Sequence, residues 1–117
     1  MIEPRLAAHI RIEALKRLTQ AAGGFATLLA KGDLVAGAIL ITRTVRGADN
    51  GVIEGTSDLD GSVHWKEIWN EDAQTIAGKG TLSEYVARRR SRDPDIWVIE
   101  LDVASRAQFD AIINQMR

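Results

Sequence analysis

A proline set between a capped helix and an apolar strand constrains this chain more than any other feature. Thr81 followed by Glu84 is a capping box: the threonine oxygen can accept from the Glu84 backbone N–H while the glutamate reaches back to the Thr81 N–H. Leu82, Tyr85, Val86 and Arg89 then share one helical face, and the Arg89 stem can lie along its apolar edge. Glu84 and Arg88 form an i,i+4 pair in the favourable order, worth roughly 0.3–0.5 kcal/mol. Arg88, Arg89, Arg90 and Arg92 fall at the C-terminal end, where positive charge suits the helix dipole. Pro94 drives Asp93 out of the α region, so the helix ends by Arg92.

Beyond the stop the chain reads IWVIELDV. Trp97, Ile99, Leu101 and Val103 point one way, and Ile96, Val98, Glu100 and Asp102 the other. One face is wholly apolar; the second begins apolar and ends acidic. The strand is therefore expected to be central at its start and to reach solvent near its end, with Glu100 and Asp102 about 7 Å apart on one face.

A length of 117 residues sets one domain, and 45% hydrophobic residues are enough for a core. The formal net charge of -1 gives no global attraction to nucleic acid or acidic lipid. With no cysteine there is no disulfide, thiolate metal site or cysteine nucleophile, which fits a reducing compartment. No apolar run approaches the ~18 residues of a membrane span. The charges at Glu3, Arg5, Arg11 and Glu13 leave no room for a signal-peptide apolar region, so a cytoplasmic location is expected.

In chain order, alternation predicts a brief strand over 6–10 feeding a helix over about 11–22, with a single helix from Arg5 as the alternative. Ile12, Leu15, Leu18 and Ala22 form the helical stripe, and Gly23-Gly24 supplies the left-handed cap. Strands over 25–30 and 35–44 follow, joined at hairpin length by 31–34. Both are nearly continuous apolar runs and are expected to be buried on both faces, with Gly37 marking a bulge or close approach. RGADNG at 46–51 predicts a turn ending in Asn50-Gly51, and strands over 52–57 and 62–67 a second hairpin around 58–61. Residues 70–80 read as a loop. A second capping box, Ser105 and Gln108, opens a helix with Phe109, Ile112, Ile113 and Met116 as its stripe. The order (β)α-ββ-ββ-α-β-α makes a single α+β domain: a mostly antiparallel sheet of about five strands with two or three helices on one face, or on one face and an end.

The runs FATLLAKGDLVAGAILI, HWKEIW and YVARRRSRDPDIWVIELD resemble the small alphaproteobacterial family called domain of unknown function 1491. The Gly32-Asp33 turn, the Ala36-Gly37 pair and the Asp93-Pro94-Asp95-x-Trp97-x-x-Glu100 run carry the likeness, which spans nearly the whole chain. It implies a short, single-domain, cytoplasmic bacterial protein, and it brings no activity and no catalytic residue with it.

The candidate sites follow from charge and aromatic placement. Arg88, Arg89, Arg90 and Arg92 suggest a grip on phosphate, but Glu84, Asp93 and Asp95 lie close by and the patch is of mixed sign. Pairing with Glu100, Asp102 or neighbouring acids is the expectation. Asp93, Asp95, Glu100 and Asp102 are also the carboxylates available for acid–base work or a divalent cation; aspartate flanking proline has a ready local use in turns and caps. Residues 56–67 carry EF-hand letters at Asp58, Asp60, Gly61 and Glu67, but position 1 is Thr56 and the flanks read as strands. His9 and His64 have no metal-ligand spacing, and His64 is expected to face solvent. Trp65 and Trp97 are expected in the core, and Trp69, at a strand end, as a partner-facing anchor.

No catalytic residue, cofactor or metal is assigned. The expected function is a small interaction or regulatory module. It would bind an unidentified protein or a second copy of itself, through an exposed sheet edge or the surface of Trp69, Arg88, Arg89 and Arg92. The alternative is a small enzyme or ligand-binding protein with its charged site where residues 88–92 meet residues 95–102. Weak nucleic-acid binding through the arginines is the further alternative.

Overall fold

The computed structural model describes residues 4–33, 38–57, 63–70 and 82–116. In chain order it contains α1 (Pro4–Ala21), β1 (Phe25–Ala30), β2 (Ile39–Val45), β3 (Ala48–Ser57), β4 (Val63–Asn70), α2 (Leu82–Arg92), β5 (Trp97–Val103) and α3 (Arg106–Gln115). The strands form one five-stranded sheet in the order β1-β5-β2-β3-β4. β5 runs antiparallel to β1 and parallel to β2; β2–β3 and β3–β4 are antiparallel. This is the expected α+β architecture.

The strand after Pro94 is central, as its sequence requires. Trp97, Ile99, Leu101 and Val103 are buried against α1 and α3 with Ala8, Ile12, Leu15, Ile39, Ile41 and Phe109. Ile96 and Val98 turn to the opposite face, where they meet Leu40, Val52 and Tyr85, with Leu82 and Val86 packed against the cluster. Helices therefore cover both faces of the sheet, rather than one face or one face and an end.

Five further expectations are corrected. The strand over 6–10 is helix: Pro4 opens α1 with its φ already set for the first turn, and Ala8, Ile12, Leu15 and Thr19 are the buried stripe. Thr19, not Ala22, completes that stripe, because the helix stops in a Schellman motif. Gly23, at φ 86°, donates to the Gln20 carbonyl at 3.0 Å, and Gly24 to that of Thr19 at 2.9 Å.

β1 and β2 are not a hairpin, since β5 lies between them. Nor is β1 buried on both faces: it is an edge strand with Phe25, Thr27 and Leu29 exposed. Of the two, only β2, between two neighbours and under helices, is buried on both faces as expected, although Thr42, Arg43 and Thr44 are among its buried residues. The turn in 46–51 is two residues long, Arg46 and Gly47, at φ 51° and 83°, the pattern of a type I′ turn. Asn50-Gly51 already belongs to β3, where Asn50 is the extra residue of a bulge opposite Arg43. The capping threonine at 81, Gly37, the 58–61 connection and the 71–80 stretch lie outside the described residues.

Candidate functional site

The Pro94 corner is held from three sides. Asp93 donates its N–H to the Arg89 carbonyl at 2.9 Å, ending α2, and its carboxylate accepts from the Asp95 N–H at 3.2 Å. Asp95 in turn accepts from the Asp33 N–H at 3.0 Å, while the Trp97 indole donates to the Asp33 carbonyl at 3.1 Å. A Cβ at Gly32 would overlap the Asp95 carbonyl and the Trp97 ring, so only glycine lets the 31–33 segment lie this close. Asp93 and Asp95 thus shape backbone, as aspartates beside proline do.

The α2 arginines divide. Arg89 makes a two-pronged bond to Glu54 of β3, at 2.9 Å on each prong, and a third bond to the Tyr85 hydroxyl at 3.2 Å. The hydrogen bonds from Arg89 hold the Glu54 carboxyl below the usual carboxylate range, and the bond to Glu54 raises the Arg89 guanidinium further. Arg88 lies over the Tyr85 ring at 6.0 Å. With Arg92 these residues line a cleft of about 400 Å³. The partner of Arg89 is therefore Glu54, which sequence reasoning missed; among the described residues neither Glu100 nor Asp102 fills that role.

Glu100 and Asp102 each stand beside a threonine of β2 in the parallel ladder, Thr42 and Thr44. The Thr44–Asp102 rung is closed: the hydroxyl donates to the carboxylate at 2.9 Å, and the Gly47 N–H adds a bond at 3.0 Å. In the Thr42–Glu100 rung the Thr42 hydroxyl is buried and has no hydrogen-bond partner among the described residues. Both residues line a second cleft, of about 280 Å³, between α2 and the sheet, with Arg90 at its rim.

The opposite face holds a charge cluster that no motif announced. Arg43 is only 1% exposed, yet it is fully engaged. It pairs with Glu67 at 2.8 Å, bonds the Asn50 side chain at 2.5 Å and its carbonyl at 3.0 Å, and lies over the Phe109 ring at 5.1 Å. Arg106 of α3 reaches the same Glu67 at 3.0 Å. One signal was available: a lone arginine within the apolar run ILITRTV must bring its own partners inside. Glu67, position 12 of the calcium-like run, is committed to these arginines.

Trp65 packs against the larger core, its ring over Gly55 of the neighbouring strand. A bulge at Ile68 reverses the alternation, so Trp69 turns to the α2 face and is half-buried against the Val52 and Leu40 cluster. His64 is exposed, and the His9 ring stands 6.2 Å from that of Trp97. The eight proposed site residues thus fall into four places: the corner, the Glu54 cleft, the two threonine rungs and the β4 end. Among the described residues no three His, Asp or Glu side chains are grouped to hold a metal, and no helix is long and apolar enough to cross a membrane.

Comparison with curated proteins gives no match. Among solved structures, the chain is similar to the crystal structure of a DUF1491 family protein from Caulobacter crescentus. Identity is 30% over 82% of this chain and 86% of that one, with a TM-score of 0.61. It shares its fold with the solution structure of protein Atu0922 from A. tumefaciens, at 24% identity over 86% of this chain and 88% of that one, with a TM-score of 0.66. The family profile described as "Protein of unknown function (DUF1491)" matches residues 6–110, and the chain belongs to that family.

Proposed function

We propose that the chain is a small cytoplasmic interaction module whose binding surface is the free edge of β1, and that a second copy of the chain occupies it. The observation that carries this reading is exposure: Phe25 is 72% and Leu29 47% exposed on an edge strand, FATLLA, with neither a charge nor a proline. Edge strands are ordinarily blunted by such residues. β4, at the other edge, follows that rule with exposed His64, Lys66 and Glu67.

Self-pairing suits this sequence. An antiparallel pair of β1 strands with its two-fold axis at Thr27 sets threonine against threonine and brings Phe25 toward the partner copy's Leu29 position, the bulged residue at the end of the paired run. Both are favourable cross-strand combinations. No like charges meet across the axis. The arginine helix supports the same reading by default, because Arg89 is already held by Glu54 and offers a phosphate little. The lack of cysteine supports the reducing compartment.

Light scattering coupled to size exclusion over a concentration series tests the proposal. The natural chain is expected to move toward a dimer as concentration rises, and Phe25→Lys to stay monomeric with an unchanged far-UV spectrum. A natural chain that is monomeric at every concentration, or a Phe25→Lys variant that dimerises equally well, overturns it.

A further inference from the structure

The two threonine–acid rungs of the β2–β5 ladder are chemically alike and differ in outcome. Thr44 closes onto Asp102. Thr42 is equally buried, at 2% exposure, but its hydroxyl bonds nothing among the described residues. Its ladder neighbour Glu100 is half-buried and makes no side-chain hydrogen bond or ion pair among the described residues. A buried hydroxyl without a partner costs roughly 1–3 kcal/mol. Thr42 also lines a cleft, and its ladder neighbour Glu100 lines the same one.

We infer that this cleft binds a small organic cation: a primary ammonium carried on a short aliphatic body. The floor supplies acceptors, the Glu100 carboxylate and the Thr42 hydroxyl, and Asp49 of β3 adds a second carboxylate at the rim. An ammonium has three donors and no acceptor, which matches such a set. The walls are Leu29 of β1 with Leu82 and Val86 of α2, which suit methylene groups rather than a hydrated metal ion. Among the described residues Arg90 is the one cation lining the cleft, and it is exposed. The volume, about 280 Å³, lies just below the usual span of ligand sites, roughly 300–1,000 Å³. That selects a molecule of a few carbons. This site lies beside the β1 edge, but it needs no second copy of the chain.

Titration of the full chain with n-butylamine at neutral pH, followed by two-dimensional NMR, tests the inference, with butyrate as the anionic control. Saturable shifts are expected at the Leu29, Leu82 and Val86 methyls and at the Thr42 amide, and none with butyrate. Glu100→Gln should weaken binding about tenfold or more, the loss that accompanies a charge-assisted hydrogen bond. Thr42→Val should weaken it less while the spectrum stays dispersed. Shifts that do not saturate, that spread over surface acids and survive Glu100→Gln, or that butyrate reproduces would overturn the site. So would a Thr42→Val variant that binds n-butylamine as tightly as the natural chain.

Discussion

The two faces of the sheet solve the same burial problem to different degrees. Under α1 and α3 the face is closed: large apolar side chains fill it, and its buried charge, Arg43, has a carboxylate, an amide and an aromatic ring around it. Under α2 the apolar cluster is smaller and the far half is open, with Glu100 lining a cleft and Phe25 and Leu29 in solvent. Buried polar atoms without a partner among the described residues occur on both faces, Thr42 here and Thr19 and Trp65 on the other. The closed face maximises stability. The open face leaves polar and apolar groups uncommitted, which is where a protein can meet another molecule.

Substitutions that probe the two faces should fall in a steep order. Trp97→Ala removes the largest fully buried side chain from the closed face and should cost about 3–5 kcal/mol in urea unfolding. A cost below about 1 kcal/mol would mean that this face is not the core. Glu67→Ala leaves the buried Arg43 without its counter-charge and should cost about 3 kcal/mol. The double variant Arg43→Met with Glu67→Gln should recover most of that, because the penalty belongs to the stranded charge rather than to the lost pair.

On the α2 face, Glu54→Gln should cost only about 1 kcal/mol, since the pair with Arg89 is partly exposed. Its pH signature is more distinctive. The folded Glu54 carboxyl titrates below the unfolded one, held down chiefly by the Arg89 hydrogen bonds. Its stabilisation is therefore complete above the unfolded value of about 4.3, and it is lost as pH falls through the lower folded value. The natural chain should lose more stability than Glu54→Gln over that acid range; parallel stability–pH curves would refute the assignment. Smallest of all, Phe25→Lys should change monomer stability by less than about 0.5 kcal/mol. A loss of 2 kcal/mol would show that the open face is core after all and erase the contrast between the two.

Much of the closed face was legible in advance. The alternation of Trp97, Ile99, Leu101 and Val103 and the stripe of Phe109, Ile112 and Ile113 state its composition outright, because burial on one side imposes a period. Ser105 and Gln108 also predicted the start of α3. The Ser105 oxygen accepts from the Gln108 N–H at 3.2 Å, although the glutamine side chain takes the Ala104 N–H, one residue earlier than the motif specifies. The α2 face was harder to read, for physical reasons. Single-residue bulges at Leu29, Asn50 and Ile68 break the alternation from which side-chain direction is inferred. The ion pair of Arg89 spans 35 positions, and no local rule chooses Glu54 over Glu100. The hairpin expected for β1 and β2 failed similarly: short connections favour sequential pairing, but β5, apolar on both sides over its first half, gains more from a central position.

That central position bears on how the chain comes into being. β1 leaves the ribosome about seventy positions ahead of the strand it will pair with, and β2 nearly sixty ahead of its parallel neighbour. Until the C-terminal third emerges, β1 has no partner and the β2–β3–β4 meander offers β2 as a naked border. The keystone of this arch is laid last, so a nascent or truncated chain ending before Trp97 exposes two hydrophobic seams instead of one sheet.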